Sequence, residues 1–203
     1  VEGRTHISIP ATLPLHARNY RLAVWMDYVQ EGDTIEDWWY DTSTLSPLIN
    51  NGTYRGNSEY KDAFCGMQEV DLTPHRDEWN TVVPVNMTLE RPVGRYELIA
   101  TDVQALRDKI AAGEAQGDNF TARIKYSDYL LVGIDVLTDE LRNPLSYLSY
   151  EYNFRLSRIE GDEVSIGFDY VFCETEGSRI PVEVEIVDSE NVTIARSIIR
   201  IPA

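Results

Sequence analysis

Alternation of apolar and polar residues with a period of two constrains this chain more than any other feature. In NYRLAVWMDYV, Tyr20, Leu22, Val24, Met26 and Tyr28 alternate with Arg21, Ala23, Trp25 and Asp27, the pattern of a strand with two different faces. Val83, Val85, Met87 and Leu89 repeat it, with Pro84 implying an edge position or an irregularity. Phe120, Ala122, Ile124 and Tyr126 do so again, as do Leu148, Tyr150, Tyr152, Phe154 and Leu156. Val164, Ile166, Phe168, Tyr170 and Phe172 follow the turn Glu160-Gly161-Asp162, which reads as a hairpin. Val182, Val184 and Ile186 lead through the turn Asp188-Ser189-Glu190-Asn191 to Val192, Ile194 and the run ending at Ile201. Strands separated by turns at short intervals predict an all-β sandwich.

The rest of the chain punctuates this pattern. Thr101-Asp102 supplies a cap, Val103, Leu106 and Ile110 share one face, and Gly113 is placed to end a short helix. Residues 30–57 are the least regular, and loops of that length usually carry function or short structure of their own. Pro92 closes one β segment and Gly94 precedes the next, so Arg91-Pro92-Val93-Gly94 marks a boundary. The expected organisation is an N-terminal β-sandwich domain over 1–93 and a C-terminal one over 94–203, each near the usual small-domain size.

Charge excludes several function classes. The 18 Lys and Arg against 34 Asp and Glu give a formal net charge of −16, which argues against nucleic acid as a partner, because phosphate binding needs a basic face. It equally disfavours a polybasic lipid contact. No apolar stretch approaches the ~20 residues that span a bilayer, and no signal peptide opens the chain. The charge is even, with 15 acids against 8 bases in residues 1–98 and 19 against 10 beyond. It reads as a coat that keeps an exported protein soluble. The three His, His6, His16 and His75, have no ligand pattern around them, and neither HExxH nor GxSxG occurs. No catalytic set, metal site or cofactor is therefore expected. Asp27, Glu31, Asp33, Glu36 and Asp37 crowd one stretch without matching an EF-hand, and read as a solvated acidic loop rather than a Ca²⁺ site.

Two groups remain as candidates. Trp38, Trp39 and Tyr40 stand in the long acidic loop, where aromatic faces either stack on sugars and anchor a partner or plug the end of the first sandwich. Trp25 lies opposite the Leu22–Met26 face of its strand and has a structural role. Cys65 and Cys173 have no zinc spacing and are 108 residues apart. They form either one long-range disulfide joining two halves or two buried thiols in apolar strands.

Three segments and the chain end suggest a family. Tyr20–Tyr28 with its Trp25-Met26-Asp27-Tyr28, then Asp62-Ala63-Phe64-Cys65-Gly66, then residues 89–98 with Arg91-Pro92, resemble the fimbrillin-like proteins of Bacteroidetes. Those proteins show a W-x-D-Y strand, a D-A-F-x-G segment and an R-P junction into a second domain, and residues 168–202 resemble their closing strands. The resemblance implies two tandem transthyretin-like β-sandwich domains with one short helix near the start of the second. It implies a non-enzymatic fimbrial (pilus) anchor, accessory or tip subunit at the cell surface or outer membrane, acting in pilus assembly or adhesion. Its partners are then other pilus subunits, joined by β-strand addition, or surface glycans and proteins. The alternative is a surface carbohydrate-binding module using Trp38, Trp39 and Tyr40. Family members are commonly lipoproteins, but no cysteine precedes Cys65, so either a leader has been removed or this member is not lipidated. Only residues 5–9 are available to fill the family's first strand.

Overall fold

The alternating segments become strands because each can turn one row of side chains toward a shared core. The computed structural model describes residues 10–28, 39–44, 48–50, 54–173 and 179–202. In chain order the described elements are β1 (Asn19–Asp27), β2 (Tyr40–Asp41), β3 (Leu48–Asn50), β4 (Ala63–Asp71), β5 (Val93–Ala100), α1 (Val103–Ala111) and β6 (Asn119–Tyr126). There follow β7 (Leu130–Asp135), β8 (Glu140–Leu145), β9 (Ser149–Arg155), β10 (Val164–Phe172), β11 (Arg179–Val187) and β12 (Thr193–Pro202). The described residues are all-β with antiparallel pairing and one short α-helix.

The pairs form four sheets, ordered β12-β11-β6-β9, β2-β3-β7-β8, β10-β5 and β1-β4. One apolar cluster joins Ala122, Ile124 and Tyr126 of β6, Val182 and Val184 of β11 and Ile201 of β12 to Leu98 of β5 and Ile166 and Val171 of β10. A second joins Tyr40, Ala63 and Cys65 to Val93, Ile134, Tyr170 and Phe172. Val171 thus packs on one side of β10 while Tyr170 and Phe172 pack on the other, so this strand is covered on both faces. That explains its nearly unbroken apolar sequence. Each large apolar side chain removed from water contributes about 1.5–3 kcal/mol.

A bulge sets the phase of β10. Its register against β5 shifts between Ser165 and Gly167, which brings Ile166 and Val171 to the same cluster although they differ by an odd number. Gly167 has φ 151°, and a Cβ there would stand 3.2 Å from Ile124 Cδ1 and 3.3 Å from the Tyr150 ring. Only glycine suits that place.

Several expectations change. The helix forms as predicted over Val103–Ala111, and Gly113 beyond it has φ 77°. Its N-terminus is held from outside: Val103 N donates to the Asp162 carbonyl and Gln104 N to Asp162 Oδ1, while the Asp102 side chain makes no cap bond. The turn at residues 160–162 therefore caps α1 instead of closing a hairpin, since β9 pairs with β6 and β10 with β5. The turn at 188–191 does join an antiparallel pair, β11 with β12. Residues 80–89 form no strand despite their alternation. Two bonds between Cys65 and Glu90 make an isolated bridge at their end.

Contacts cross the boundary expected at residues 93 and 94. Leu48 and Ile49 of β3 pair with Ile134 and Gly133 of β7, and the second cluster draws on both sides. Residues 5–9, the segment expected to supply a first strand, lie outside the described residues.

A buried lysine and aspartate ringed by tyrosines as the candidate functional site

An acid in the middle of an apolar strand needs a partner, because an unpaired buried charge costs several kcal/mol or neutralises itself, by roughly 3–5 units of pKa. Asp169, in VSIGFDYVF, is fully buried. It lies two residues before Val171 and shares that residue's face of β10. Its partner is Lys61, at the end of the 3-10 turn Glu59–Lys61, whose start is fixed by Ser58 accepting from Tyr60 N. Lys61 Nζ stands 2.5 Å from Asp169 Oδ1, with the two side chains 2% and 0% exposed.

The remaining carboxylate positions are filled as well. Oδ1 accepts from Tyr170 N at 2.8 Å, and Oδ2 accepts from the hydroxyls of Tyr54 at 2.6 Å and Tyr126 at 2.8 Å. The Lys61 ammonium lies 4.3 Å from the centre of the Tyr54 ring, a cation–π distance. Hydroxyl contacts continue outward, with Tyr96 between Tyr126 at 2.7 Å and Tyr150 at 3.0 Å. Tyr40 donates to the Lys61 carbonyl at 2.5 Å. Tyr170 donates to Glu59 at 2.5 Å, and Arg95 holds the same carboxylate at 3.1 Å.

Burial governs the protonation of this group. It drives the Lys61 pKa down, against the opposing pull of Asp169. It pushes the phenols of Tyr54, Tyr126, Tyr40, Tyr96 and Tyr150 upward, with Asp169's negative charge adding to each. The phenols therefore remain hydroxyl donors. A pocket of about 10 Å³ adjoins Lys61, lined by Tyr40, Tyr54, Lys61, Leu130, Tyr170 and Phe172 among others. That is roughly the room one water molecule needs. The arrangement can lock residues 54–61 onto β10 and β6, and it offers no space for a larger substrate.

The residues singled out from sequence fall in different places. Trp38 lies outside the described residues. Trp39 is half-buried against the second cluster. Tyr40 is a core residue, 1% exposed, packed edge-on to Trp25 at 5.0 Å and to Phe172 at 5.9 Å. Trp25 also packs on the second cluster. Cys65 and Cys173 are free thiols, so the disulfide is not formed. Cys65 belongs to the second cluster and Cys173 packs on the first, where its Sγ occupies the space beside Gly94.

Glu31, Asp33, Glu36, Asp37 and His6 lie outside the described residues. His16 is exposed, and His75 contacts Glu78 at 2.8 Å. Among the described residues no group of His, Cys, Asp and Glu gathers to hold a metal. No helix of the described residues is long and apolar enough to cross a membrane. On the outer face of β6, Arg123, Lys125, Glu151, Glu183 and Glu185 border a shallow groove of about 180 Å³. Its charges pair across strands, as in Arg123 with Glu151 at 3.0 Å, and exposed pairs of this kind contribute little, about 0–1 kcal/mol.

Sequence reasoning missed Lys61, Asp169 and the tyrosines around them. The available signal was the single acid within an otherwise apolar strand. No curated protein and no solved structure matches this chain. A family model matches it over residues 1–203, that of DUF6562, described as a family of unknown function. The chain belongs to the DUF6562 family.

Proposed function

We propose that the protein is a non-catalytic surface subunit of the fimbrial anchor, accessory or tip kind that its motifs resemble, working in assembly or adhesion through strand edges and exposed apolar residues. The observation that carries this reading is the segment after the turn Thr73–His75. Trp79 is 94% exposed and Val82 is 84% exposed, and no described strand pairs with residues 80–89. An unpaired segment that alternates apolar with polar residues and ends beside a sheet suits pairing with another chain. Its far end is anchored, since a Cβ at Gly66 would lie 3.1 Å from Leu89 Cδ2.

In this reading the even negative charge serves an exported protein, and the polar cluster around Asp169 serves the scaffold. The tandem transthyretin-like organisation belongs to the proposal in a modified form, with the two units joined through the β3–β7 pairing instead of a free linker. The glycan-binding alternative rests on Trp38 and Trp39 alone, because Tyr40 is in the core.

Co-purification with appendage subunits encoded beside this gene tests the proposal. A complex that survives mild denaturant and is lost in Trp79→Asp supports it. A chain that stays monomeric with every such subunit counts against it. Glycan titration that weakens in Trp39→Ala would favour the alternative.

A further inference from the structure

We propose that Lys61 and Asp169 become joined by an amide bond between Nζ and Cγ, a self-catalysed modification that ties the segment ahead of β4 covalently to β10. The reacting groups are already in contact, 2.5 Å from Nζ to Oδ1, with side chains 2% and 0% exposed. Holding two reactants in such a position replaces a bimolecular encounter, an advantage worth on the order of 10⁵–10⁸ M in effective concentration. Three features of the surroundings favour the condensation.

The first is dehydration. A buried ion pair gains from losing both charges, and burial already works against the charged form of Lys61. Passing one proton from the ammonium to Oδ1 yields a neutral amine beside a neutral acid. The second is the pair of phenol donors on Oδ2, from Tyr54 and Tyr126. They sit where negative charge develops when the carbonyl is attacked, as oxyanion donors must. The third is the adjoining pocket of about 10 Å³, which Lys61 itself lines and which has roughly the room of one water.

The step balances without a cofactor. The Nζ lone pair forms the N–C bond to Cγ, and the C–Oδ2 π electrons move onto Oδ2 between the two phenols. Nζ passes a second proton to Oδ1, the Cγ–Oδ1 bond breaks, and Oδ1 leaves as water carrying both protons. The carbonyl re-forms at Oδ2 and keeps its bonds to Tyr54 and Tyr126. Nothing is oxidised or reduced, and the charges of the pair cancel. The product closes a loop between positions 108 residues apart, across the sequence midpoint, which constrains the unfolded chain as a long-loop disulfide does. This inference stands independently of the surface-subunit reading.

The test is the intact mass of the purified full chain under denaturing conditions, followed by tryptic mapping. The expected mass is one water below the value calculated from the sequence. The map should contain a branched peptide joining Lys61 to Asp169, with no cleavage after Lys61. Lys61→Arg, which retains the cation and cannot form this amide, should return to its calculated mass. An unmodified wild-type mass overturns the proposal, and so does a missing water that maps elsewhere, such as to a succinimide. Persistence of the water loss in Lys61→Arg overturns it as well. The wild-type measurement decides even if the variant does not fold.

Discussion

Phe172→Ala probes whether the chain before residue 93 and the chain after it form one cooperative structure. Phe172 ends β10, is 6% exposed and meets the Tyr40 ring edge-on at 5.9 Å. Its partners in the second cluster include Tyr40, Ala63 and Cys65 from the first half. Truncating a buried phenylalanine costs about 3–5 kcal/mol through lost burial and the cavity left behind. With a urea dependence of about 2–3 kcal/mol per molar for a chain of this size, the midpoint should fall by about 1–2 M. All four tryptophans, Trp25, Trp38, Trp39 and Trp79, precede residue 93, and Trp25 and Trp39 pack on the shared cluster, so their fluorescence follows the first half and its contacts with that cluster. Far-UV circular dichroism is dominated by the second half, which holds β5 to β12 of the described strands. The shared cluster predicts that both signals shift together by the same amount. The reasoning fails if the circular dichroism transition moves while the tryptophan transition stays in place, as separate domains would behave. Ile198→Ala, at a side chain 66% exposed, serves as a control and should change stability by no more than about 0.5 kcal/mol.

Four further outcomes are expected. Burial raises the pKa of Tyr40, Tyr54, Tyr96, Tyr126 and Tyr150 in the folded state; the stability this confers is full below the unfolded value of about 10 and declines as pH rises above it. Lys61, wherever it keeps a free amine, is shifted downward and has the opposite sign, but it is one group against five. Urea midpoints should therefore drop above about pH 10, with these phenols ionising only as the chain unfolds; ionisation of all twelve tyrosines near pH 10 in folded protein would contradict this. Burial pushes the Cys65 thiol up to about 11 and raises Cys173, so labelling by a thiol reagent near neutral pH should run at least about ten-fold slower in native than in denatured protein. Reducing agent should leave the thermal midpoint unchanged. Gly167→Ala forces a Cβ toward Ile124 and Tyr150 at φ 151° and should destabilise by about 1–3 kcal/mol in a chemical melt.

The alternation was enough to locate β1, β6, β9, β10, β11 and β12, because a half-buried strand writes its two faces directly into the sequence. It did not reveal which strands pair. The turn at 160–162 has hairpin chemistry, yet Asp162 is used by α1 and the strands on either side join different sheets. Residues 83–89 carry the same period without a described partner, since alternation records burial on one side and says nothing about the backbone edge. The Lys61–Asp169 contact was invisible for a different reason. Its members are 108 residues apart, and only the third dimension reports that Tyr54 and Tyr126 share the carboxylate. Tyr40 looked like a loop aromatic because it stands in the irregular, acidic stretch over 30–57, but its burial is decided by Trp25 and Phe172.

Amide hydrogen exchange of the full chain, alone and with an appendage subunit encoded beside its gene, tests most directly whether the protein works by pairing an extended segment with a neighbour. Strand addition predicts new protection concentrated in residues 80–89 on mixing, absent in Trp79→Asp. Binding that leaves those amides exchanging as freely as before, or protection centred on the segment around Trp38 and Trp39, would contradict the account.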